Sequence, residues 1–162
     1  MNKWEVVIAN SYMKHGDLWM YGTRILSMAA TLGWMAFTLA LLGTTEVFLG
    51  ISDPPTPEIS PWWIPVGGHL FLFGVLGMLT TACVASITRS PGIKNYLIAV
   101  ALMGLLWGTF TELYQLTVPG RSTSVEDLGV DLGGSVLGGI VAWSLGVWIM
   151  RRLLRSKNTK IS

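Results

Sequence analysis

Among the ionisable residues of the 162-residue chain, His69, Glu112 and Asp131 stand out because each sits inside a long apolar run. An imidazole that titrates near neutral pH, set beside carboxyl groups, is chemistry able to accept, hold and return a proton. Gln115 follows Glu112 by three residues and Asp127 precedes Asp131 by four, so on helices each pair shares one face. Between the pairs lies Pro119-Gly120-Arg121-Ser122, a tight turn whose guanidinium suits a phosphate or carboxylate. No metal or cofactor is expected, although the carboxyl groups offer oxygen ligands that leave a bound cation as an alternative. The single Cys83 excludes an internal disulfide or thiolate cluster, His15 and His69 lie at very different depths, and no known cation-loop motif is present.

These groups need elements to carry them, and the composition says of what kind. Charged residues make up 12% of the chain and apolar ones 51%, with a mean hydropathy of +0.55. Soluble domains carry roughly a quarter charged residues. An integral membrane protein follows, and a nucleic-acid binder, a disordered tail and a secreted disulfide scaffold are excluded. Apolar stretches long enough to cross a bilayer as helices are read at about 25–50, 64–88, 95–118 and 128–150. Proline and glycine clusters punctuate them at 53–61, 89–92 and 119–122. The expected fold is an all-α bundle of four transmembrane helices over 25–150. It is preceded by an interfacial segment, 1–24, and followed by a basic tail, 151–162.

The placement of charge orients this bundle. Ten of the eleven Lys and Arg residues fall before span 1, between spans 2 and 3, or after span 4, and only Arg121 lies on the opposite side. The positive-inside rule then predicts both termini in the cytoplasm. Trp62, Trp63 and Tyr114 are expected at the outer interface and Trp19, Tyr21, Tyr96 and Trp148 at the inner one, with Trp34, Trp107 and Trp143 nearer the middle.

With a rise of about 1.5 Å per residue, His69 lies about 8 Å inside the outer end of span 2, Glu112 about 9 Å inside that of span 3, and Asp131 about 5 Å into span 4. Antiparallel spans therefore deliver their ionisable groups to one level. Each charge near a helix centre costs about 2.5–3.5 kcal/mol on insertion scales, so scattered placement would be disfavoured. The polar faces continue as Gly108 and Gly104 on span 3 and as Ser135 and Gly138 on span 4, small residues that let helix backbones approach. On the same side seven acids (Glu46, Asp53, Glu58, Glu112, Glu126, Asp127, Asp131) face one Arg and one His, so not all can be ionised and buried together.

The stretch Glu112-x-x-Gln115, Pro119-Gly120-Arg121-Ser122, Asp127, Asp131, Gly134 and Gly138 resembles the signature of the VanZ-like family of small bacterial membrane proteins. His69 with Phe73, Leu76 and Gly77 resembles that family's His helix, and the likeness covers about 64–145. Two departures are visible. Pro65 and Val66 stand where relatives often carry Asp-Lys, and Phe73 stands where they often carry Tyr. The resemblance implies a multi-pass protein of the bacterial inner membrane linked to susceptibility to teicoplanin-type glycopeptides, which act on lipid-linked cell-wall precursors.

The leading reading is a protein that binds or modifies an envelope lipid or lipid-linked precursor at the outer leaflet. Arg121, Gln115, Asp127 and Ser122 would contact the polar head, with Glu112, His69 and Asp131 as acid and base groups if the protein is an enzyme. Each residue also has a plainer role. His69 and Glu112 can bond neighbouring helices together, Arg121 can close its loop on Asp127, and Ser122 and Ser124 can cap the fourth helix. A membrane-embedded hydrolase or transferase is the second reading, and a small transporter or structural subunit the third.

Overall fold

Four helices follow one another in the chain: α1 (Lys3–Thr44), α2 (Trp63–Ile87), α3 (Ile93–Gln115) and α4 (Val125–Asn158). The computed structural model describes the backbone of residues 3–44, 63–88, 92–118 and 125–158, and side chains over 19–41, 66–88, 92–118 and 125–156. Each helix contains a membrane-spanning stretch: Trp19–Leu41, Val66–Ile87, Ile93–Gln115 and Val125–Ser156. The protein is a four-span helical bundle, with no strand among the described residues.

Two helices outrun the spans read from the sequence. α1 is continuous from Lys3 and its spanning stretch begins at Trp19, so the backbone of the expected N-terminal segment runs as helix into the first span. α4 continues past the expected end at 150 through Arg151, Arg152 and Arg155 to Asn158. Charge ends the hydrocarbon-compatible stretch but not the helix, because Arg and Leu are good helix formers. At about 1.5 Å per residue, the 34 residues of α4 extend about 51 Å, well beyond a hydrocarbon core of about 30 Å. α3 instead ends early, at Gln115, and turns through Leu116, Thr117 and Val118, with Val118 N–H donating to the Gln115 carbonyl at 3.0 Å. Val118 precedes Pro119, and a residue before proline is pushed out of the helical region.

The bundle interior is small and polar, and its exterior is greasy. On α3 the buried residues are Val100, Gly104, Gly108, Thr111, Glu112 and Gln115, whereas Leu102, Leu106, Phe110 and Leu113 face outward. Lipid tails are as apolar as leucine, so association rests on close packing and interhelical hydrogen bonds. The closest approach is between α2 and α4. A Cβ on Gly138 would overlap the Gly74 carbonyl, and one on Gly77 would overlap the Ser135 carbonyl. α3 joins through Gly104, where a Cβ would stand 2.6 Å from Ser135 Oγ. The small faces expected on spans 3 and 4 are thus helix contacts, and α2 supplies the matching glycines.

α1 is attached chiefly by polar groups. Trp34 Nε1 donates to the Leu72 carbonyl at 2.9 Å, Trp107 Nε1 to Thr38 Oγ1 at 3.0 Å, and Arg24 Nε to the Ser86 carbonyl at 2.9 Å. Ser27 and Ser86 pair at 2.9 Å. The indoles of Trp34 and Trp107 therefore lock helices together at mid-bundle.

Candidate functional site

His69 on α2, Glu112 on α3 and Asp131 on α4 converge at one end of the bundle, all three buried. One nitrogen or oxygen from each lies within 4.8 Å of the others. The helical rise set the three at one level, and the glycines turn that level into contact. Beside Asp131, α3 carries Gly108, where a Cβ would stand 3.2 Å from Asp131 Oδ2. Beside His69, α4 carries Gly134, where a Cβ would stand 2.9 Å from the Leu70 carbonyl. Larger residues at these two positions would hold the helices apart and separate the polar groups.

The central interaction joins His69 Nδ1 and Asp131 Oδ1 at 2.7 Å. With Asp131 ionised, the ring N–H donates to its carboxylate, which orients the imidazole and leaves Nε2 outside this bond. The His69 ring is further held by the Phe73 ring, stacked at 6.4 Å between centroids with 3° between planes. Phe73 is only 1% exposed and belongs to the small apolar cluster with Leu72 and Leu76. It contributes an apolar wall beside the imidazole. Thr111, fully buried between Gly108 and Gln115, bonds its own helix through the Gly108 carbonyl at 2.9 Å.

Not all the hydrogen-bonding capacity here is used. Asp131 Oδ2, Gln115 Nε2 and Ser135 Oγ are buried and have no hydrogen-bond partner among the described residues. Asp131 and Ser135 are 0% exposed and Gln115 is 2% exposed. Unsatisfied buried polar atoms cost about 1–3 kcal/mol each. Such atoms in a native bundle call for a polar partner from outside the helices, whether water or ligand.

The remaining candidates from the sequence divide in two. Asp127 is half-buried in the first turn of α4, one turn before Asp131 and on the same face. Arg121 and Ser122, with Ser124 and Glu46, lie outside the described residues. Sequence reasoning did not single out Ser135 as a chemical group, only as a small contact residue. Its signal was the four-residue step from Asp131, which puts its hydroxyl directly below that carboxyl.

Chemically, the arrangement is an oriented imidazole with carboxyl groups on two sides. The trio is close enough for a cation to be considered. Nδ1 and Oδ1 themselves stand at hydrogen-bond distance, 2.7 Å.

Fold and site together define a multi-pass membrane protein whose polar cluster is built from three of its four spanning helices. A model of the VanZ/LLP1 family matches residues 18–150, and the chain belongs to that family. The match takes in the first spanning stretch as well as the three on which the likeness was read, so the segment holding Glu46 falls within it. No curated protein and no solved structure matches the chain.

Proposed function

We propose that the protein receives the polar head of an envelope lipid or lipid-linked cell-wall precursor at the His69, Glu112 and Asp131 end of the bundle. Through that binding it alters susceptibility to teicoplanin-type glycopeptides. The observation that carries the reading is the set of buried polar atoms, Asp131 Oδ2, Gln115 Nε2 and Ser135 Oγ, that the described helices leave without partners. An amide donor and a carboxylate acceptor reserved in a low-dielectric site would select a head with matching hydroxyl, amide or phosphate groups. Arg121 and Ser122, in the loop that follows Gln115, supply the anion-binding part of the reading, and Asp127 the rim. The charge distribution of the sequence supports a reading in which this end faces the outer leaflet of the bacterial inner membrane, where such precursors are exposed.

Acid and base chemistry on the bound head is the second reading, favoured by one observation: the hydrogen bond of His69 to the Asp131 carboxylate, which orients the ring. Carriage across the membrane is not part of the proposal. Below the cluster, the α2 and α4 backbones meet at Gly74 with Gly138 and at Gly77 with Ser135.

The test is a susceptibility assay in a host whose teicoplanin susceptibility depends on this protein. Glu112→Gln keeps the side-chain shape, and the expected outcome is loss of the protein's effect with normal amounts of protein in the membrane. Full effect retained by the double variant Glu112→Gln, His69→Gln would overturn the reading.

A further inference from the structure

The opposite end of the bundle holds a second feature, independent of the polar cluster. A cleft of about 480 Å³ opens between the end of α2, the start of α3 and the last turns of α4, lined by Ala85, Tyr96, Trp143, Gly146, Met150 and Arg151. At about 1.5 Å per residue along α4, Arg151 stands about 30 Å from Asp131. Apart from the Arg151 guanidinium and the Tyr96 phenol at its rim, the cleft walls are apolar.

We propose that this cleft binds an anionic phospholipid, with the phosphate on Arg151 and the first acyl methylenes against Trp143 and Met150. Three observations select that occupant. First, its walls are contributed by three spanning helices, and its apolar lining residues Trp143, Gly146 and Met150 precede the arginines at which the hydrocarbon-compatible part of α4 ends, so it opens where hydrocarbon meets headgroups. Second, the described charged side chains at this end are all basic. Arg24, Lys94, Arg151, Arg152 and Arg155 gather here, whereas the described acidic side chains, Glu112, Glu126, Asp127 and Asp131, belong to the far end. Third, Arg151 is exposed and has no ion-pair or hydrogen-bond partner among the described residues, whereas its neighbour Arg152 lies over the Trp148 ring at 4.2 Å. One guanidinium is thus held against the protein by an aromatic face and the other is left to an external anion. A cationic head over an apolar wall that includes Tyr and Trp is the pattern that holds lipid at a membrane interface.

Gly146 provides a way to close the cleft without disturbing the fold. A Cβ at this position meets nothing within 4 Å, so Gly146→Leu extends into the cleft, and leucine is a better helix former than glycine. The experiment is native mass spectrometry of the full chain in detergent, titrated with phosphatidylglycerol or phosphatidylcholine. Wild type should retain one phosphatidylglycerol at least 5-fold more tightly than phosphatidylcholine. Gly146→Leu and Arg151→Gln should each abolish that preference, with thermal unfolding unchanged, and Arg152→Gln should keep it. Equal binding of the two lipids overturns the proposal. So does unaltered phosphatidylglycerol retention in Gly146→Leu, or an equal loss in Arg151→Gln and Arg152→Gln, which would mean diffuse attraction to the basic end.

Discussion

The two ends of α4 treat charge in opposite ways. Near its start, Asp131 is fully buried and pairs with His69 on α2 at 2.7 Å; in its last turns, Arg151 and Arg152 are exposed, one without an ion-pair partner among the described residues and one laid on an indole. Burial makes the difference. An ionisable group taken into the bundle must be matched by groups on other helices, which requires helices close enough to touch, and hence the glycines beside it. A group left at the surface needs no such matching and remains available to lipid. One helix therefore carries a charged group held by packing at one end and charged groups left exposed at the other.

The largest expected effect tests the packing that separates them. Gly138→Ala places a methyl on the Gly74 carbonyl and should destabilise the bundle by about 1–3 kcal/mol, the usual cost of overpacking, while Gly146→Ala at the open end of the same helix should be neutral or slightly stabilising. Thermal unfolding in detergent distinguishes the two, and equal behaviour would break the contrast. Next in size is Gln115→Leu, which keeps the bulk of the side chain but removes the amide. If Gln115 Nε2 is reserved for a ligand, precursor affinity should fall about 5- to 10-fold, the equivalent of one net hydrogen bond of about 1–1.5 kcal/mol, with no loss of stability. A drop in stability without a change in binding would move Gln115 to the structural side. The smallest effect is expected from Trp34→Phe, which removes the bond to the Leu72 carbonyl. Interhelical hydrogen bonds in membranes contribute about 0.6 kcal/mol on average, so a shift of that order in unfolding is expected and lipid binding at either end should not change. Added chelator should also leave both ends unaffected, because the His69 and Asp131 contact is a hydrogen bond; metal-dependent binding would show otherwise.

Much of this contrast was legible in the residues themselves. Four spans and their breakers follow from hydropathy, and a common level for His69, Glu112 and Asp131 follows from the fixed helical rise. Which carboxyl takes the imidazole was not legible. That choice depends on the rotation of α3 and α4 about their axes, set by how Gly104, Gly108, Gly134 and Gly138 seat against their neighbours. The helix ends were also hard to read. α4 runs on through its arginines because helix propensity and membrane compatibility are different properties, and α3 stops short because of Pro119. The cleft at Gly146 had no signal in the sequence, since a glycine that packs against a helix and one that opens a space look alike there.

The central claim is that the His69 and Asp131 pair serves a bound polar head and is more than a clasp between helices. Its most direct test is the affinity of the purified protein, in nanodiscs, for a lipid-linked cell-wall precursor, compared between wild type and Asp131→Asn. The substitution keeps the shape and removes a charge-assisted acceptor worth about 1.5–3 kcal/mol, so affinity should fall about 10- to 100-fold while the helices remain assembled. Unchanged affinity in a folded Asp131→Asn protein would contradict the account and leave the pair as a clasp alone.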